Sequence, residues 1–252
     1  MIRTTLASLS NTELNRRLWN AGVLIRIPPF AFRIRSQIPV VASGLARLYA
    51  DYDVLADNAF ADFHVSVDAV RRFPRALCTF RLDGLEPFTP LALDEAFAFL
   101  EWGMNWCVTS HCHTFVTIHS AVLEREGRVL LMPAPPGSGK STLCAALALN
   151  GWRLMSDELG LLDPSTGLVF PSTRPVSLKN KSIDIIRGMA YQATFGPVAY
   201  DTMKGTVAHM RPPATSVERS SEPGLPAWLI FPKYLAGSSA QLIQRPKAAS
   251  LM

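Results

Sequence analysis

Cysteine is scarce and poorly placed for structural chemistry. The chain has four, Cys78, Cys107, Cys112 and Cys144, and their spacing fits neither a zinc site nor a disulfide framework. Reduced thiols follow, and with them the expectation of a cytoplasmic protein. Charge is also thin, at 18% of residues against 48% hydrophobic, which excludes a disordered chain and predicts a sizeable core. Long apolar runs are missing. The stretch from Phe97 to Val108 comes nearest, but Glu101 interrupts it and Asp94 and Glu95 precede it, so it is too short and too charged to span a bilayer. The first residues, Met1-Ile-Arg-Thr-Thr-Leu6, lack the apolar centre of a signal peptide. The net charge of +5 suits an anionic ligand. No block of Lys and Arg interleaved with aromatics is present, so nucleic acid is not an expected partner. No Gly-x-Ser-x-Gly elbow supports a hydrolase triad, and no internal repeat or low-complexity tract appears.

A length of 252 residues allows one large or two small domains. Ser10-Asn-Thr-Glu13 has capping-box spacing and predicts a helix running to Ala21, stopped by Gly22. The segment from Val23 to Arg35 is β-rich and broken by Pro28-Pro29, and Pro39 to Tyr52 suits a helix. Asp62 to Asp68 and Cys78 to Leu82 alternate as half-buried strands. Leu91 to Cys107 reads as a helix whose Leu91, Phe97, Leu100 and Met104 recur at helical spacing as core residues. Residues 1–110 therefore read as a small α+β domain. In the remainder, 111–252, strands are expected from Thr114 to Glu124 and from Arg128 to Met132, with a tight turn at Arg125-Glu-Gly127. Another strand is expected to end at Asp157-Glu158. A hairpin is expected around Pro164-Ser-Thr-Gly167, a helix from Asn180 to Met189, and a polar loop from Ser216 to Pro226. Late strands are expected at Ala227 to Phe231 and Ala240 to Arg245. The closing Ala248-Ala-Ser-Leu-Met252 reads as the opening of a helix, so the chain reads as C-terminally truncated.

Ala134-Pro-Pro-Gly-Ser-Gly-Lys-Ser-Thr142 fits the phosphate-binding loop pattern, with Ala134 in place of its first glycine. A short apolar run precedes it and a stretch of strong helix formers follows, ending at Asn150-Gly151. Strand, loop and helix thus fall in the order the motif needs. Glycine lets main-chain N–H groups curl around phosphate oxygens without a Cβ in the way. Nucleotide contacts are expected from Pro136, Gly137, Ser138, Gly139, Lys140, Ser141 and Thr142. Lys140 places a point charge on the β and γ phosphates, and the Ser141 hydroxyl can join a Mg²⁺ shell.

Asp157 and Glu158 close the strand after the loop's helix. One helix and one return strand bring carboxylates back beside the loop, at the sheet edge where ligands sit in open α/β sheets. A carboxylate there can hold Mg²⁺ or accept a proton from an attacking hydroxyl, so Ser141, Asp157 and Glu158 are the candidate metal ligands. His119 lies on the preceding strand; taken alone, such a histidine is ordinarily structural. Arg174 and Lys179 are weaker candidates for phosphate or acceptor contact, solvated surface cations being the ordinary reading. In His111-Cys-His113 the two histidines would share one face of a strand with no second ligand pair, so zinc is not expected. His209 reads as structural.

Ile118-His119-Ser-Ala, Pro136-Gly-Ser-Gly-Lys-Ser141 and Leu154-Met-Ser-Asp-Glu158 together resemble the HPr kinase/phosphorylase family. The nearest likeness is the HPr-kinase-related kinase A branch, through Gly151-Trp-Arg-Leu-Met-Ser-Asp-Glu158 and Arg174-Pro-Val-Ser-Leu-Lys-Asn180. The likeness is strong over roughly residues 112 to 190. Glu158 stands where HPr kinases carry a second aspartate, and their later glycine-rich signature is absent. Neither HPr as substrate nor the phosphorylase reaction is therefore carried over. The resemblance implies an α/β fold with a P-loop nucleotide-binding core of HPr-kinase type behind an N-terminal α+β domain. It implies a serine kinase using ATP and Mg²⁺, with Asp157 as base, His119 beside the acidic pair, and Lys140 stabilising the transferring phosphoryl. A protein or peptide acceptor, a PqqD-like peptide-binding partner and a homo-oligomer are further implications. A nucleotide-binding switch without phosphotransfer, and a kinase of a small hydroxyl compound such as free serine, stay open as alternatives.

Overall fold

The Ser10 side chain accepts a hydrogen bond from Glu13 N at 3.1 Å and starts helix α1, Asn11–Trp19. Gly22, at φ +88°, turns the chain out of it and into the hairpin β1, Val23–Ile27, and β2, Phe30–Ser36. Pro39 opens helix α2, Pro39–Leu48. Strands β3, Phe63–Arg72, and β4, Arg75–Leu82, follow, and a two-residue strand β5, Leu91–Ala92, completes a five-stranded sheet in the order β1-β2-β3-β4-β5. Within it only β2 and β3 run parallel. The computed structural model describes residues 4–72 and 75–246, so the expected helix at 248–252 lies outside the described residues.

Helix α3, Ala96–His111, lies across this sheet. The sequence placed its start at Leu91. Instead Leu91 and Ala92 pair with Cys78 and Leu77, satisfying the edge of β4, and the helix begins only after a 3₁₀ turn at Leu93–Glu95. The helix packs with almost no clearance: a Cβ at Gly103 would stand 2.2 Å from the Phe80 ring, and one at Gly44 on α2 would stand 2.1 Å from the Phe97 ring. His111 and Cys112 end α3, so the expected strand placement of His111-Cys-His113 is corrected; a helix end puts no two of them on one strand face.

The second sheet is built from β6, Val116–Arg125, β7, Arg128–Pro133, β8, Arg153–Ser156, β9, Leu159–Leu162, β10, Val169–Phe170, and β14, Leu225–Leu229. Its order is β10-β9-β6-β7-β14, with β8 pairing the other half of β6 beside β9. Helix α4, Lys140–Leu149, links β7 to β8. A three-stranded antiparallel sheet holds β11, Val176–Lys179, β13, Gly205–Met210, and β12, Phe195–Thr202, with α5, Lys181–Met189, between β11 and β12. The expected loop after Ser216 is entered by a short helix, α6, Ala214–Glu218. The fold is mixed α/β, and both larger sheets mix parallel and antiparallel pairs. Among the described residues no helix is long and apolar enough to cross a membrane.

Ala240 to Arg245 forms no strand, contrary to expectation. Its apolar side chains find nothing to cover them: Leu242 and Ile243 are 87% and 76% exposed. Apolar alternation makes a strand only when a neighbouring strand accepts its backbone bonds. One core groups the N-terminal sheet, α2 and α3, and takes in Leu159, Leu161 and Val217 as well. A second lies between α4, β6, β7 and the three-stranded sheet.

Candidate active site

Strand order explains why distant residues meet. Strand β6 runs antiparallel to both β7 and β8 and lies between them. The C-terminal ends of β7 and β8 therefore emerge at one sheet edge, beside the N-terminal half of β6. Ser120 opposes Pro133, His119 opposes Leu159, and the glycine-containing loop after β7 and the acid pair open from that same edge. The corner after β8 is held by the Ser156 hydroxyl, which accepts from Glu158 N at 3.3 Å and Leu159 N at 2.9 Å.

In the loop, Gly137 and Gly139 adopt φ of +83° and +85°, a region costly for residues bearing a Cβ. No atom beyond the chain neighbours stands within 4 Å of where a Gly137 Cβ would project, so this part of the loop is open. Gly139 is the N-cap of α4, and Lys140 begins the helix. The Ser138 hydroxyl is buried without a hydrogen-bond partner. An orphan of this kind, beside left-handed glycines and a helix N-terminus, fits an anion supplied from outside.

Lys140 is buried, and its Nζ donates to His119 Nε2 at 2.8 Å. That bond requires a neutral imidazole with its proton on Nδ1. His119 is exposed, but partial desolvation and the Lys140 ammonium hold its pKa below the ordinary histidine value. Burial likewise lowers the pKa of Lys140, against the pull of Glu158 and Asp157.

Asp157 is buried, with one carboxylate oxygen accepting from Ser177 N at 2.9 Å. Burial first, and the Glu158 charge second, push its carboxyl up to about 7. Glu158 accepts from Asn105 Nδ2 at 3.0 Å, and its main-chain carbonyl accepts from Ser120 N at 3.0 Å.

Arg174 is not the solvated cation the sequence suggested. It is buried and donates through Nη1 to the Glu101 carbonyl at 3.1 Å and to the Glu101 carboxylate at 3.5 Å, and through Nη2 to Asn105 Oδ1. Glu101 in turn accepts from the Tyr49 hydroxyl at 2.6 Å. A hydrogen-bonded chain thus runs from buried Tyr49, Glu101 and Arg174 to part-buried Asn105 and Glu158. The sequence reading missed Glu101 and Asn105, which lie about one turn apart on α3. The available signal was an acid inside an otherwise apolar helix, a placement that costs free energy unless a partner is built for it. Lys179, the other weak candidate, lies at the end of β11 and is partly exposed. His209 is buried with its ring edge-on to Phe97, and burial holds its pKa down to about 3, as suits a structural residue.

For a divalent cation the candidate donors are the oxygens of Ser141, Asp157 and Glu158, a set that suits a hard ion such as Mg²⁺. Among the described residues no group of three or more His, Cys, Asp or Glu could hold a metal, so phosphate oxygens and water would have to complete its shell. No family model matches the chain, and no curated protein matches it. The site is therefore argued on its own geometry.

Proposed function

We propose that the protein is an ATP- and Mg²⁺-dependent serine kinase resembling HPr kinase, with a protein or peptide as acceptor. The observation that carries this reading is the meeting, at one sheet edge, of an open left-handed glycine loop, its lysine, and a buried aspartate whose carboxyl is pushed up to about 7. A base works best when its pKa lies near the working pH. In the reaction, the serine oxygen forms a bond to the γ-phosphorus while the bond from that phosphorus to the β–γ bridging oxygen breaks. ADP leaves with the bonding pair, and the hydroxyl proton passes to Asp157. Lys140, held ready by neutral His119, shifts its ammonium onto the phosphate oxygens as charge develops there. Mg²⁺, held by Ser141, Asp157 and Glu158, would supply further neutralisation of phosphate charge. The loop amides from Gly137 to Ser141 orient the triphosphate, and the Tyr49-to-Glu158 chain fixes the second carboxylate. The serine of a peptide presented by a PqqD-like protein is the acceptor that the resemblance favours.

The test pairs calorimetry with transfer of labelled phosphate. Wild-type protein should bind Mg²⁺-ATP and label an acceptor. Lys140→Ala should weaken ATP binding about a hundred-fold or more, whereas Asp157→Asn should bind ATP and fail to transfer. Undiminished transfer by Asp157→Asn would refute the base assignment, and binding without any labelled acceptor would favour a nucleotide switch.

A further inference from the structure

Beyond β14 the chain keeps following β7, with Ile230 N donating to Leu131 O at 2.9 Å, and then reaches the phosphate loop, where Tyr234 N donates to Ser138 O at 2.9 Å. The bare Gly139 makes room for this approach: a Cβ there would stand 3.0 Å from Tyr234 Cβ and 3.9 Å from its Cγ. The root of the tyrosine is thus pinned against the loop's last glycine while the residue is 70% exposed. A large apolar ring held out beside a charged loop gains nothing from its own fold. It is, however, already ordered at its base, which cuts the entropy lost when something settles on it. Phe231, on the same segment, is engaged by the Arg245 guanidinium at 5.5 Å from its ring centre, whereas no such partner sits over Tyr234 among the described residues.

We propose that Tyr234 is the stacking platform for the base of the nucleoside triphosphate. The inference rests on the loop binding such a nucleotide, and adds what the loop lacks. Main-chain amides and Lys140 recognise only phosphate charge, so they hold inorganic tripolyphosphate and ATP alike. An aromatic face at the loop's shoulder offers the base a surface that is indifferent to its hydrogen-bonding edge, so ATP and GTP should profit similarly.

Calorimetry on the full chain with Mg²⁺ tests this, using ATP and inorganic tripolyphosphate as separate ligands. Tyr234→Ala should weaken ATP binding about ten-fold and leave tripolyphosphate binding unchanged, and Tyr234→Phe should restore ATP binding because the ring face is kept. The exposed position makes folding of both variants safe to expect. An unchanged ATP affinity in Tyr234→Ala overturns the proposal, as does an equal loss for both ligands, which would mean that the ring props the loop. Wild-type protein that binds tripolyphosphate but ATP no tighter also overturns it, leaving the phosphate loop intact as a reading. Wild-type protein that binds neither overturns the nucleotide reading itself.

Discussion

Two buried arginine–glutamate pairs serve the opposite ends of strand β6, and they have opposite characters. At the C-terminal end Arg153 Nε bonds Glu124, while its Nη1 donates to the carbonyls of Arg219 and Glu222 at 2.8 and 2.9 Å. Glu124 also accepts from Gly127 N, and Arg219 Nη2 stands 3.4 Å from it. Burial alone would push this carboxyl up, but the Arg153 and Gly127 bonds outweigh it and hold Glu124 below the usual carboxylate range. At the other end, Arg174 divides its donors between Glu101 and Asn105. There burial wins, and Glu101 and Asp157 both rise to about 7. One pair of residue types makes a staple where the acid meets an arginine and a main-chain N–H, and the arginine also grips two carbonyls. At the other end the same pair lies near two further acids, Asp157 and Glu158, and burial keeps Glu101 and Asp157 raised.

The difference has a sign in pH. Glu124, with its lowered pKa, adds stability above the ordinary carboxylate range that is lost as pH falls through its folded value. Asp157, with its raised pKa, favours the folded state most below the ordinary carboxylate range, and that contribution is lost as pH rises to about 7.

The strongest test of this contrast is Asp157→Asn. Transfer should fall about 10²–10⁴-fold, yet the variant should melt above wild type at pH 8, with the gap closing toward pH 4; lower melting at every pH would break the contrast. Arg153→Ala should do the reverse. It strands Glu124 and should cost about 3–5 kcal/mol in urea unfolding, with ATP affinity of the folded protein unchanged. Glu124→Gln sharpens the point: the loss should be about 2 kcal/mol at pH 7 and shrink as pH falls through the lowered folded pKa of the wild-type carboxyl. Ser10→Ala, remote from both ends, sets the baseline at about 1 kcal/mol, independent of pH across that range in thermal melts.

Much of this was legible in the sequence because local chemistry dictates it. Ser10 caps α1, left-handed glycines shape the loop, and the strand–loop–helix–strand order forces Asp157 back beside Lys140. What could not be read depends on contacts between distant segments. Arg174 and Glu101 meet across 73 positions, and nothing in Arg174-Pro-Val-Ser-Leu announces a partner on α3. The failed strand at 240–245 errs in the same way, since alternation records a capacity for pairing but not a neighbour. Tyr234 escaped notice because its meaning lies in a hydrogen bond to Ser138, and exposed tyrosines are common in any sequence.

Helix α3 has a practical consequence. A shortened protein beginning at β6 would keep the glycine loop, the lysine and both acids, and a motif search would find it whole. It would nevertheless take Glu101 and Asn105 away from Arg174, leave Glu158 without the Asn105 amide, and open Leu159 and Leu161 to water. The candidate site excised along the apparent seam would come away with its mounting left behind.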